Sequence, residues 1–248
     1  MQIGVIADIH GNALALEAVL ADMRPRSLDR IINLGDLVSG PLLPRETMEL
    51  LAGLDVLTVR GNHDRWVSRD DPTRMGASDQ FAHAQLRPEQ RSWLGALPMF
   101  ADAGQGIVSF HATPNNDNRY LVEKVNQGRL ERDSVANIRE RLGELDARVV
   151  LCGHSHRRQL LQLPNGPLIL NPGSVGCPAY DDPGHDAHVS EAGSPHARYA
   201  VLTLKGDGVA VEMIAVQYPW EDAARCADRN GRPDWAHALR TGWMPGSI

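Results

Sequence analysis

Residues 3–7 form a short continuous apolar run of the kind that buries both faces of a strand. Asn12, a residue that caps helix starts, then opens a stretch in which Leu14, Leu16, Val19 and Leu20 fall on one helical face. A second apolar run covers 31–34, Pro44 opens a helix through Leu51, and a third run covers 56–59. Proline suits a first helical turn because the N–H it lacks would be unpaired there. The order strand, helix, strand, helix, strand predicts parallel pairing, since each helix returns the chain to the edge from which the next strand starts.

Residues 70–88 are polar and interrupted by Pro and Gly, with an apolar helix-like piece over 81–86, and a helix is expected over 89–97. Together they read as a cap-like segment near 66–98. A strand over 107–110, a helix over 134–145 and a strand over 148–151 follow. The pattern then changes. Residues 159–163, 168–170, 199–204 and 209–216 predict an antiparallel run, turning at Asn165-Gly166 and at Gly206-Asp207-Gly208, and so a second sheet. Residues 178–197, rich in Asp, Gly, Pro and His without periodicity, are expected to be a long loop. Trp220, Trp235 and Trp243 near the C-terminus are expected to pack against the sheet or a subunit partner. No internal repeat or low-complexity tract divides the chain, and a single domain over 1–248 is the expectation.

Composition narrows the class. Of 248 residues, 42% are hydrophobic and 23% charged, which suits a globular protein with a full core. The net charge of -6 opposes binding of a long polyanion, so duplex nucleic acid is not an expected partner. A small phosphate ester or nucleotide remains compatible if cations make one site locally positive. Cys152, Cys177 and Cys226 have neither disulfide nor metal-ligand spacing and read as reduced thiols. With no basic leader and no long apolar stretch, the expected location is cytoplasmic, away from membranes.

The chemistry lies in short signatures placed where predicted strands end: Asp8-Ile9-His10, Gly35-Asp36, Gly61-Asn62-His63-Asp64 and Gly153-His154-Ser155-His156, with His111 between the last two. Strand carboxyl ends bring sequence-distant groups into one crevice. Asp and His two apart can face one cation if the chain turns, and Gly11 permits a turn. The carboxylate of Asp36 can bridge two cations, and Asn62 offers a neutral carbonyl oxygen. A set rich in imidazole suits Mn, Fe, Co, Ni or Zn better than Mg or Ca, which prefer oxygen shells. Taken singly, such signatures are ordinarily turns and helix caps. Their joint occurrence at strand ends points to a metal site that stays cationic with two divalent ions bound and so attracts an anionic ester.

These signatures, spanning Asp8 to His156, resemble those of the calcineurin-like metallophosphoesterases. The resemblance implies an α/β fold arranged as a four-layer α-β-β-α sandwich of two mixed β-sheets flanked by helices. It implies two divalent transition metal ions, manganese being the expected activator. One would be held by Asp8, His10, Asp36 and His156 and the other by Asp36, Asn62, His111 and His154, with a bridging hydroxide attacking phosphorus. By the same resemblance His63 protonates the leaving oxygen or binds the phosphoryl group, Asp64 orients His63 through a hydrogen bond, and Asn62 and His63 touch substrate.

The stretch Trp93-Leu94 to Leu97-Pro98 and the run Asn171-Pro172-Gly173-Ser174-Val175-Gly176 resemble a prokaryotic subgroup that includes small phosphodiesterases and relatives of diadenosine tetraphosphate hydrolases. Amides of the second run either meet a phosphate or merely close the sheet. Two features depart from the family pattern. Leu37-Val38-Ser39-Gly40 follows Asp36 in place of the Asp-Arg-Gly of Ser/Thr protein phosphatases, which removes their phosphate-gripping arginine, and Ala112 follows His111 where Gly is common.

A phosphodiesterase is therefore the first expectation, with a nucleoside polyphosphate hydrolase or phosphomonoesterase as alternatives. A DNA nuclease would want a basic stripe that the sequence lacks. A noncatalytic protein-binding module, as in the small subunit of the retromer coat, would show a degraded ligand set, and self-association into a homo-oligomer is compatible with the composition. His83, His185, His188, His196 and His237 read as loop or surface residues. Arg65 and Trp66 read as locally packed or solvent-paired, with a nucleobase or phosphate contact as the alternative, and Arg157-Arg158 as a solvated pair.

Overall fold

Strands β1 (Gln2–Ile6), β2 (Arg30–Asn33) and β3 (Val56–Thr58) pair in parallel, joined by helices α1 (Ala13–Met23) and α2 (Pro44–Ala52), as the apolar spacing predicts. These elements belong to a computed structural model that describes residues 1–69, 71–184 and 186–247. Alternation along β1 sends Ile3 and Val5 to one face and Ile6 to the other. Asn12 caps α1 through its side-chain oxygen, which accepts from the Ala15 amide at 3.1 Å.

Helix α3 (Asn62–Val67) follows β3, and α4 (Ala77–Gln85) and α5 (Pro88–Ala96) complete the helical part of the segment 66–98. The second sheet has the order β4 (Phe100–Gly104), β5 (Ile107–Phe110), β8 (Val149–Leu151), β10 (Leu168–Asn171), β9 (Gln159–Gln162), with β5, β8 and β10 parallel. Helix α6 (Val135–Leu142) covers its outer face through Ile138 and Leu142. The helix expected over 134–145 stops early because Gly143 takes a φ of 69°.

The four strands expected as one antiparallel run divide between the sheets. The hairpin of β13 (Ala197–Lys205) and β14 (Gly208–Val216) joins the first sheet, with β13 antiparallel to β1, whereas β9 and β10 join the second. The two sheets face each other across Ile3, Val5 and Leu202 on one side and Ile107, Val149 and Leu151 on the other. Helices α1, α2, α7 (Trp220–Arg229) and α8 (Pro233–Thr241) lie on the outer face of the first sheet, as shown by the cluster of Leu16, Val19, Leu51, Ala223 and Leu239 around Tyr199 and Val201. The layering is thus α-β-β-α.

A third sheet was not foreseen. It joins β6 (Glu123–Asn126), β7 (Arg129–Arg132), β12 (His188–Glu191) and β11 (Ala179–Asp182) in that order. Residues 178–197 are therefore not one long loop. Their strands evade a period-two reading because the buried positions include His188 and Ser190, polar side chains held by hydrogen bonds to Tyr120 and to the Ser155 carbonyl. His188 is accordingly a core residue rather than a surface one. His83 lies in α4 and bonds the Val67 carbonyl at 2.9 Å, and His237 lies in α8; His185 is outside the described residues.

Among the described residues no helix is long and apolar enough to cross a membrane. The inter-sheet core sets the stability of this arrangement. Leu202→Ala, which empties a fully buried position between the sheets, is expected to cost about 2–5 kcal/mol in chemical denaturation.

Candidate metal centre

All the signature residues sit just beyond strand ends: Asp8 and His10 after β1, Asp36 after β2, Asn62 and His63 after β3, His111 after β5, and His154 and His156 after β8. Strands β1, β2 and β3 belong to the first sheet, and β5 and β8 to the second. The site therefore forms where the carboxyl edges of both sheets meet, which brings together residues more than a hundred positions apart, such as His10 and His156.

The backbone there is held in an unfavourable conformation. Asp8 (φ 55°), His10 (51°), Asp36 (57°), His154 (69°) and His156 (58°) all adopt the left-handed region that non-glycine residues avoid. The side chains carried by these turns gather where the carboxyl edges of the two sheets meet. Cross-links hold the turns. Both oxygens of Asp64 are saturated by backbone amides, accepting from Asp36 at 2.8 Å, Leu37 at 2.9 Å and Gly61 at 2.9 Å. Gly61 lies so close to Asp36 that a Cβ would meet its Oδ1 at 2.1 Å.

The run 171–176 takes the structural option of the two open for it. Its Val175 and Gly176 amides donate to the carbonyls of Ala7 (2.9 Å) and Asp8 (3.1 Å), and Ser174 Oγ donates to the Asp8 carbonyl at 2.6 Å. These groups clamp the Asp8 turn.

The side chains form two groups whose ligand atoms lie within 4.8 Å of one another: Asp8, His10 and His156, and Asp36, His111 and His154. Asp36 stands between them, its Oδ2 at 3.2 Å from His111 Nε2 and 3.9 Å from His10 Nε2. Asn62 is buried nearby with an unpartnered Oδ1. Three imidazoles are fixed in the same way, each donating Nδ1–H to a backbone carbonyl: His10 to Ser39 (2.6 Å), His111 to Leu34 (2.7 Å) and His156 to Cys177 (2.8 Å). Their Nε2 atoms are thereby turned into the site, the orientation that metal-ligating histidines need.

Burial pushes the His10 imidazole down to about 4 and that of His156 well below its ordinary value, so both are neutral near pH 7. Two lone pairs then face each other, His10 Nε2 and His156 Nε2 being 3.1 Å apart. Such an arrangement repels unless a cation lies between. Ligand atoms at about 2.1 Å from one ion are about 3.0–3.4 Å from each other at octahedral or tetrahedral angles. The His10–His156 and His111–Asp36 separations of 3.1 Å and 3.2 Å fit that spacing. The donor set suits divalent transition metals.

Burial also raises the Asp8 carboxyl to about 8, the neighbouring carboxylate of Asp36 adding to the effect. For His111, burial opposes the charged ring, but Asp36 and Asp8 outweigh it and raise the imidazole to about 10. Burial likewise opposes ionisation of Asp36, and His111 and His63 reverse this, holding the carboxyl well below the usual range.

His63 differs from expectation in its partner. Asp64 is occupied by amides, and the carboxylate that holds His63 is Asp79 of α4, whose Oδ1 lies 2.7 Å from His63 Nδ1, with Ser39 Oγ at 3.1 Å from the same nitrogen. Burial disfavours the charged ring, but Asp36 and Asp79 raise it to about 9. Asp79 lies in the polar segment without periodicity, so no sequence signal linked it to the site. Tyr120 and Tyr180 were also missed: Tyr120 stacks on His154 at 4.7 Å and Tyr180 packs edge-on to His156 at 4.6 Å. Arg65 is spoken for, bidentate on Asp117 at 2.7 Å for each bond. Arg157 bonds the Leu130 carbonyl and so is not simply a solvated side chain.

A layered sandwich with two carboxylate–imidazole groups gathered at its strand ends has the donor types and spacing to hold divalent cations. The comparisons agree. The model of the calcineurin-like phosphoesterase superfamily domain matches residues 1–194, and the chain belongs to this superfamily. An uncharacterised protein of Methanocaldococcus jannaschii is 29% identical over 94% of this chain and 94% of its own. The crystal structure of a metallophosphoesterase from Sphaerobacter thermophilus has a TM-score of 0.73 at 26% identity, covering 98% of this chain and all of that one. A hypothetical protein of Pyrococcus horikoshii shares the fold, with a TM-score of 0.72 at 19% identity over 98% of this chain and 99% of its own.

Two outcomes follow from the charges. Ions can enter only as the carboxyl of Asp8 and the ring of His111 lose their protons, whereas His10 and His156 are already neutral. Uptake of a divalent cation at pH 7 should therefore release protons and weaken as pH falls below about 10, more steeply below about 8, measurable by calorimetry in buffers of different ionisation enthalpy. Asp79→Asn removes one of the charges that raise His63, so in the metal-free protein its ring should titrate below the present value of about 9 in NMR.

Proposed function

We propose that this protein hydrolyses phosphate esters, diesters in preference, at a dinuclear centre held by Asp8, His10, Asp36 and His156 on one side and Asp36, Asn62, His111 and His154 on the other. The observation that carries this reading is the pair of facing lone pairs on His10 and His156, beside the Asp36 carboxylate that lies 3.9 Å from His10 Nε2 and 3.2 Å from His111 Nε2, with the buried Asn62 Oδ1 left without a hydrogen-bond partner. Two divalent ions bound there supply an activated water and neutralise charge on the phosphoryl oxygens. Manganese is the expected activator.

The chain's own groups then divide the work. Asp36 is shared by both ligand sets, and its Oδ1 accepts the His63 amide at 2.9 Å, which ties the centre to the substrate side. His63 is half-buried at the cavity wall with Nδ1 committed to Asp79, so Nε2 is left to donate a proton to the leaving oxygen. Asn62 and His63 both border the cavity, the position from which they would contact the ester.

The diester preference rests on the loop after Asp36, which runs Leu37-Val38-Ser39-Gly40 with a buried neutral Ser39 turned toward His63 and without the phosphate-gripping arginine of the Ser/Thr protein phosphatases. Nucleoside polyphosphates are the second reading. A noncatalytic role is disfavoured because the ligand set is intact and His63 retains a carboxylate partner.

Asp36→Ala should abolish manganese-dependent cleavage of bis(p-nitrophenyl) phosphate. His63→Gln should lower kcat by about 10²–10⁴-fold while metal content stays near that of the wild type. Full activity of the metal-free Asp36→Ala protein would refute the reading.

A further inference from the structure

The centre forms the floor of a cavity of about 570 Å³, within the range of sites that enclose a whole small molecule and much larger than a phosphoryl group needs. Besides Tyr120 and the stretch 179–183, its walls come from two further parts of the chain. One is the segment following His63, which contributes Trp66, Met75 and Ser78. The other is the C-terminal segment, which contributes Arg232, Trp235 and Met244 and lies outside the residues 1–194 matched by the superfamily domain. The phosphoesterase fold thus supplies the floor, and a part of the chain beyond that match supplies a wall.

That wall is tied to the site at both ends. Trp235 has its ring centroid 6.0 Å from that of His10, and a Cβ on Gly40 would approach its indole to 3.2 Å, so no side chain fits between the indole and the loop after Asp36. Arg232 donates to Ser78 Oγ at 2.9 Å, joining the two walls across the cavity, and is held by Asp234 through three contacts of 2.6–3.2 Å. Its guanidinium carbon lies 5.8 Å from the Trp235 ring centroid. On the opposite wall Trp66 packs edge-on to His63 with centroids 4.7 Å apart. Indoles therefore border the cavity on both sides of the His10–His63 pair, whose own centroids are 5.4 Å apart.

Because Arg232 is neutralised by Asp234, this half of the cavity does not add a strong second anion site. Trp235, Met244 and Ala238 of this wall and Met75 of the other give the cavity a planar, apolar part, edged by the hydroxyl and carboxylates of Ser78, Asp181 and Asp182, while Arg69 and Arg74 line it on the side of the segment that follows His63. A group that is flat and aromatic at one end and hydroxylated at the other matches that lining. Resting on the phosphoesterase reading above, we propose that the site takes a phosphodiester in which one arm is a nucleoside, and that Trp235 is the residue that selects it by packing against the base.

The test separates this subsite from the hydrolysis itself. Thymidine 5′-(p-nitrophenyl) phosphate and methyl p-nitrophenyl phosphate share a leaving group and differ only in the retained arm. With manganese, the wild type should show a KM for the thymidine ester at least about tenfold lower, within the range expected for stacking of one base on an aromatic side chain. Trp235→Ala should raise that KM about tenfold more than it raises the KM for the methyl ester, and Trp235→Phe should recover most of the difference. Binding provides a second readout: by calorimetry, thymidine 5′-phosphate should bind the manganese-loaded wild type about tenfold tighter than methyl phosphate does, and Trp235→Ala should remove that gap. Equal KM values for the two esters, or equal losses for both in Trp235→Ala, would overturn the nucleoside subsite while leaving the hydrolase reading intact. Hydrolysis of neither ester would overturn both.

Discussion

Lone pairs and carboxylates pressed together out of water are the constraint around which this molecule is organised. His10 and His156 point unprotonated nitrogens at one another across 3.1 Å, and Asp8 and Asp36 share the same buried space. An arrangement of that kind is costly in a protein interior unless cations compensate it. The left-handed backbone at Asp8, His10, Asp36, His154 and His156 adds conformational strain to the electrostatic cost. The surrounding structure must therefore over-determine these turns.

It does so with side chains that have no direct part in the chemistry. Asp64 binds three amides and locks the Asp36 turn against the start of α3. Ser174, Val175 and Gly176 clamp the Asp8 turn, and the Gly176 approach to the Ile9 carbonyl leaves no room for a Cβ. The third sheet contributes Tyr180 against His156, and Tyr120 against His154 is anchored in turn by His188 at 2.8 Å. Rigid support of this sort keeps ligand atoms at ion-binding distances before any ion arrives.

The site also links parts of the chain with different tasks. The strand ends provide the carboxylates and imidazoles, the helical segment after His63 provides Asp79, and the C-terminal segment provides Trp235 and Arg232. The floor thus lies at the carboxyl edges of the paired sheets, and the walls lie on helices, loops and the third sheet.

Local pattern alone was enough to reveal β1, α1, β2, α2 and β3 and the position of each signature at a strand end, because the period of apolar residues and the bounding turn residues are properties of neighbours in sequence. Residue type was enough to single out Asp8, His10 and His156, and Asp36, His111 and His154, whose side chains the fold gathers into two clusters. What it could not decide was any partnership set by distance through space. Asp64 stands next to His63 in sequence yet serves backbone amides, while Asp79, sixteen positions away, reaches the ring. The polar strands β11 and β12 carry no apolar alternation, since their buried faces are satisfied by hydrogen bonds to Tyr120 and Ser155 that exist only once the sheets have packed. The hairpin of β13 and β14 likewise chose its place beside β1 because the inter-sheet core needed Ala200 and Leu202 there, a choice that tertiary burial makes and strand propensity does not.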